Sequence, residues 1–190
     1  MIVADYVQRL VQICCLYSLV RPRQAMAAFR LVGNVSWRRL AVGAAVVAPL
    51  LVLLESLTVS SLYINFPHLQ WGGIAPYPFS FARYFDLYVA LPIIAFMDGV
   101  VWYRYMPLRF ACLAGGMGKG LFVLSCLFCI MQWGGGVNIM VCNLVFTPLV
   151  AGLVLWTHNA IPAMVVVYVM SAMTMHDWHI ALYRYLESIF

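Results

Sequence analysis

Polar residues in this chain fall in short clusters, and long apolar runs separate them. The runs show neither the two-residue alternation of a half-buried strand nor the single apolar stripe of a water-facing helix. They are apolar on every side, as a helix in lipid must be. Five stand out, over about 40–63, 85–105, 109–131, 139–156 and 161–175. At 1.5 Å per residue, about 20 residues cross a hydrocarbon core of ~30 Å. The third run is the hardest to place. Starting at Leu121 it reaches Gly134 after roughly 13 residues, or ~20 Å, too short to cross. Starting near Arg109 gives enough length and draws Lys119 into the bilayer. Pro107 predicts the turn before this run, "GGG" at 134–136 the next, and "THNAIP" the last. Pro162 then suits the opening of a helix, where its missing N–H costs nothing. The expected fold is all-α, an integral membrane helical bundle with five spans over 40–175; four spans, with one of the last two re-entrant, is the alternative.

The flanks follow a different pattern. Residues 1–39 read as an amphipathic, interfacial N-terminal segment. In its first part Asp5, Gln8, Arg9 and Gln12 cluster to one side. "RPRQAMAAFRLVG" reads as a second helix, with Pro22 at its start and Gly33 as its cap. Trp37, Arg38 and Arg39 then form an interfacial anchor. "INFPHLQWGGIAPYPFSFAR" predicts an ordered aromatic loop after the first span. The tail, 176–190, "HDWHIALYRYLESIF", is amphipathic and interfacial, with His176 and His179 beside Trp178.

Composition agrees with the pattern. The chain is 65% hydrophobic and only 9% charged over 190 residues, with a mean hydropathy of +0.94. A soluble domain of this size could not hide so much apolar surface. Charge adds orientation. Six arginines precede the first span, and Arg104 and Arg109 lie between the second and third. Arg83 alone lies between the first and second. Arginine and lysine flank spans on the cytoplasmic side, so the N-terminus is expected in the cytoplasm of a bacterial inner membrane or its organellar equivalent, with the C-terminus outside. Membrane lipids and other membrane subunits are the expected partners, and no nucleic-acid motif is present. No removable signal peptide is apparent. Four of the six cysteines lie in apolar runs, where free Cys acts as a small hydrophobe; Cys14 and Cys15 could carry palmitate.

Candidate chemistry is sparse. "LAGGMGKG" looks like a phosphate loop, but the full pattern needs glycine at Leu113 and Ser or Thr at Gly120. Charges inside the membrane demand another account, since each costs ~2.5–3.5 kcal/mol on insertion scales. Asp98 and Lys119 could pair across a helical hairpin, with Gly115, Gly116, Gly118 and Gly120 allowing close approach. Alternatively Lys119 snorkels to the headgroups. Glu55 stands among Ser56, Thr58, Ser60 and Ser61, suited to helix packing or to an ion pathway. His176 and His179 share a helical face, but a metal site would need further ligands. No metal, cofactor or catalytic set is expected.

"LYSLVRPRQAMAAFRLVGNVSWRRLAVGAAVVAPLLVLL" resembles the opening of bacterial Yip1-like membrane proteins, where a Pro-Arg helix with a downstream Phe and Arg precedes a Trp-containing start of the first span. "GGMGKG" between the second and third spans fits that layout, and "DLYVALP" is similar to the family's Asp-Leu-Tyr signature without its glycine. The resemblance implies a five-span scaffold or adaptor without catalysis, and Pro22, Phe29, Gly115, Gly116 and Gly118 as structural positions. The leading functional expectation is therefore a non-enzymatic membrane scaffold or accessory subunit. The alternative is a small transporter or proton-linked component using Glu55, Asp98 and Lys119.

Overall fold

In a computed structural model the described residues are 36–69, 80–132 and 136–189. Every regular element among them is helical. We label α1 Trp37–Asn65, α2 Asp86–Ala114, α3 Met117–Met131, α4 Val137–Thr157, α5 Ile161–Met175 and α6 Trp178–Glu187. The short helix Ser80–Phe85 runs directly into α2. By length and composition α1, α2 and α4 could each cross a membrane. Helices α3 and α5 are apolar but have 15 residues each. The expected amphipathic helices before residue 36, with Pro22, Phe29, Cys14 and Cys15, fall outside the described residues, as does most of the aromatic loop. Trp37, Arg38 and Arg39 form the first turn of α1 itself, and all three are exposed.

Prolines shape the two longest helices. Wide π turns occupy Gly43–Val47, Asp86–Ala90 and Val101–Tyr105. Each ends two residues before a proline: Pro49, Pro92 and Pro107. Proline cannot donate a backbone hydrogen bond, and its ring crowds the carbonyl one turn back. A π turn relieves both by reaching one residue further. The Ala48 N–H donates to the Gly43 carbonyl, Leu91 to Asp86, and Met106 to Val101. The helix therefore passes Pro107 instead of stopping there. This corrects the expected turn: α2 continues to Ala114, and the chain reverses at Gly115, whose φ of 71° suits glycine, and Gly116. The third helix begins at Met117 rather than near Arg109.

Successive helices alternate in direction. Gly43, early in α1, packs on Thr157 and Leu153 late in α4. At the other end, Asn138 donates to the Leu62 and Phe66 carbonyls of α1, each at 3.3 Å. The α4–α5 turn is a network of short bonds. His158 adopts a left-handed conformation that ends α4, Thr157 Oγ1 donates to the Asn159 carbonyl at 3.1 Å, and Asn159 Oδ1 accepts from the Ile161 N–H at 2.8 Å. Arg104 Nη1 reaches over from α2 to the His158 carbonyl at 2.9 Å.

Five helices meet in the main core, where Leu51, Val52, Tyr103, Leu124, Val150, Val154, Val166 and Met170 are buried, with Tyr103 from α2 packing on Phe128 of α3. Outside, Leu50, Leu54, Ile93, Phe122, Val145 and Leu149 are exposed. Polar side chains instead turn inward: Ser56, Ser60, Asn138, Thr147 and Asn159 are all at most 1% exposed. This distribution, apolar outside and polar within, is the one a lipid solvent selects.

Candidate functional site

The polar interior begins on one face of α1. Ser56, Ser60 and Tyr63 recur at helical spacing, so a single stripe carries them inward, and the half-buried Glu55 stands beside it. Ser56 Oγ meets two thioethers of α5, Met170 Sδ at 3.3 Å and Met173 Sδ at 3.5 Å. Glu55 faces the other way, within electrostatic reach of the Cys142 thiol on α4 and of the Tyr103 hydroxyl on α2. Asp98 also lies within reach of Tyr103. Two carboxyl groups from different helices thus act electrostatically on one buried phenol. Thr147 Oγ1 approaches that hydroxyl from α4 without closing a well-formed hydrogen bond.

Asp98 and Lys119 do not meet. Asp98 is buried, about 16 residues before the end of α2, or ~24 Å of helix. Lys119 is exposed in the first turn of α3, beside the hairpin tip. That position suits a lysine reaching toward headgroups. The glycines divide their roles as well. Gly115 makes the turn, while Gly116 and Gly118 have open space where a Cβ would stand. The close contact falls at Gly120, against the backbone of Phe110 and Ala111. Helices α2 and α3 can touch there because Gly120 has no side chain.

The tail departs from a purely interfacial role. His176 stacks on Trp178 with ring centroids 4.6 Å apart. His179 is 3% exposed, with Nδ1 3.3 Å from the Met173 carbonyl. Its ring meets Tyr63 edge-on, centroids 6.0 Å apart. Helix α6 therefore docks on the finish of α1 through a buried histidine. Among the described residues, no three His, Cys, Asp or Glu side chains gather as a metal site would require.

Tyr63, Tyr103, Cys142 and Thr147 are site residues that sequence reasoning missed. Tyr63 had a signal, since it continues the stripe of Ser56 and Ser60. Tyr103 had little. In a regular α-helix, residues five apart diverge by about 140°, and the π turn at Val101–Tyr105 changes that angle.

Charge also sorts by end. Arg38 and Arg39 start α1, Arg104 holds the α4–α5 turn, and Arg109 and Lys119 flank the α2–α3 hairpin. These make one basic end. At the opposite end lie Asp86, Asp177 and Glu187, with Arg184.

No family model, curated protein or solved structure matches this chain.

Proposed function

We propose that this chain is a five-pass integral membrane protein of a bacterial inner membrane, or its organellar equivalent, that serves as a scaffold or accessory subunit of a larger membrane assembly. The basic end faces the cytoplasm, following the rule that arginine and lysine stay on that side. This is the role that the Yip1-like resemblance implies. The observation that carries it is the α2–α3 hairpin. From Leu108 through Lys119 it presents Leu108, Arg109, Cys112, Leu113 and Met117 as exposed side chains, with Leu113 82% exposed. An apolar tip between two cations suits an anionic membrane surface and a neighbouring subunit beside it.

The test is purification in a gentle detergent, followed by identification of co-purifying chains. Wild type is expected to bring down defined membrane subunits, and the paired change Leu113→Ser with Met117→Ser to lose them while the protein stays folded. Recovery of the wild-type chain alone, from cells that express it natively, would refute the reading.

A second reading, a proton-linked component, is favoured by the electrostatic influence of both Glu55 and Asp98 on the buried Tyr103. Lys119 has no place in it, being remote from both acids.

A further inference from the structure

The α2–α3 hairpin carries cations and no acid. No aspartate or glutamate occurs in the chain between Asp98 and Asp177, and Arg104, Arg109 and Lys119 all fall in that interval. Arg104 is engaged with the His158 carbonyl. Arg109 and Lys119 are exposed at the hairpin itself.

These two share one layer of it. Gly120 lies against the backbone of Ala111, so Arg109 stands two residues and Lys119 one residue from that contact. At 1.5 Å per residue the two positions differ by ~5 Å along the hairpin. Arg109 is also held in place. Its Nε donates to the Tyr105 hydroxyl at 2.9 Å, and its guanidinium carbon lies 5.2 Å from the centroid of the same ring. A guanidinium fixed in this way loses less freedom when it binds an anion.

The surface around the cations is apolar, with Leu108, Leu113 and Phe122 exposed. Water would leave these side chains wet, and hydrocarbon would strip both cations of their hydration. The boundary between headgroups and acyl chains suits both kinds of group, because long cationic side chains reach up to phosphates from an apolar base. The tip is also bare: nothing lies within 4 Å of where a Cβ would stand at Gly116 or Gly118.

We propose that this hairpin is a docking site for anionic phospholipid, with headgroup phosphates on Arg109 and Lys119 and acyl chains against Leu108, Leu113 and Phe122. Charge complementarity selects the occupant. A zwitterionic headgroup brings an ammonium that finds no carboxylate here, whereas an anionic one is attracted by each cation. The inference rests on the membrane reading of the hairpin given above and names the lipid that the tip touches.

The experiment uses the full chain in phosphatidylcholine vesicles, with a bimane probe on the exposed Cys112 and Cys112→Ser as the blank for the remaining thiols. Quenching is compared between phosphatidylglycerol and phosphatidylcholine, each brominated on its acyl chains and added at equal mole fraction. Phosphatidylglycerol is expected to be enriched at the probe by about fivefold for each cation engaged. Arg109→Gln with Lys119→Gln should remove most of that preference, and Arg184→Gln, at the other end of the bundle, should leave it unchanged. In the unmutated chain, raising salt from about 0.1 M to about 1 M should weaken it, as the screening length falls from ~10 Å to ~3 Å. Equal quenching by the two lipids, or a preference that survives the paired change, overturns the site. Loss of the preference to inorganic phosphate at constant ionic strength marks a soluble-anion site and overturns the lipid assignment. A probe quenched by a water-soluble agent and by neither lipid overturns it as well. Subunits that still co-purify in any of these cases would retain the scaffold reading while ending this one.

Discussion

At the scale of single residues, the glycines near the hairpin show how much depends on what stands opposite. Gly118 and Gly120 are two positions apart in the same helix and look alike in sequence. A Cβ at Gly120 would overlap the Ala111 backbone, which cannot rotate aside as a side chain can. Gly120→Ala should therefore push α2 and α3 apart and cost about 1–3 kcal/mol, as overpacking does. At Gly118 a Cβ meets nothing within 4 Å. Gly118→Ala should be neutral or gain up to about 1 kcal/mol, because alanine is the better helix former. Thermal unfolding of both variants in one detergent would test the contrast. Equal midpoints would mean that the two helices do not touch at Gly120. Run position alone placed both glycines near a helical hairpin, but which of them faced the partner depended on a register that only the folded pair supplies. Ser56 and Ser60 were more legible, because they repeat at helical spacing and mark the inward face of α1, with Glu55 half-buried at its edge.

Elements were read well where turn chemistry is local and poorly where a helix could absorb a defect. "THNAIP" reads as a turn from its residues, and the folded turn uses them, with Asn159 receiving the first N–H of α5. Pro107 reads as a breaker for an equally sound reason, yet the chain keeps its helix by widening one turn. Three such turns occur before three prolines. A rule about proline in an α-helix cannot foresee them, since in lipid the cost of an unpaired carbonyl favours any arrangement that keeps it bonded. The same cost governs the junction of α1 and α4. Asn138 is 1% exposed, and its amide serves the Leu62 and Phe66 carbonyls. Asn138→Leu would leave both without that donor at a helix end, for a loss of about 1–3 kcal/mol. Limited proteolysis should then cut first in the segment after α1. A variant as resistant as wild type would mean that those carbonyls find other donors.

For the whole molecule, the decisive quantity is the number of crossings. Helices α3 and α5, 15 residues each, are ~22 Å long against a hydrocarbon core of ~30 Å. In the proposed five-pass arrangement their flanks would make up the difference, through local thinning of the bilayer or flanking side chains that reach out to the headgroups. Lys119 stands at the start of α3 in the position to do so. Alternating direction puts the α2–α3 hairpin and the C-terminus at opposite ends of the bundle, and in the orientation proposed from the charge sorting the hairpin end faces the cytoplasm. Cys112, exposed beside the hairpin tip, offers a native reporter. A membrane-impermeant maleimide should label it in inside-out vesicles and spare it in right-side-out ones, with Cys112→Ser as the blank for the remaining thiols. An epitope at the C-terminus should show the reverse accessibility. If both become accessible from the same side, one of the two short helices does not cross.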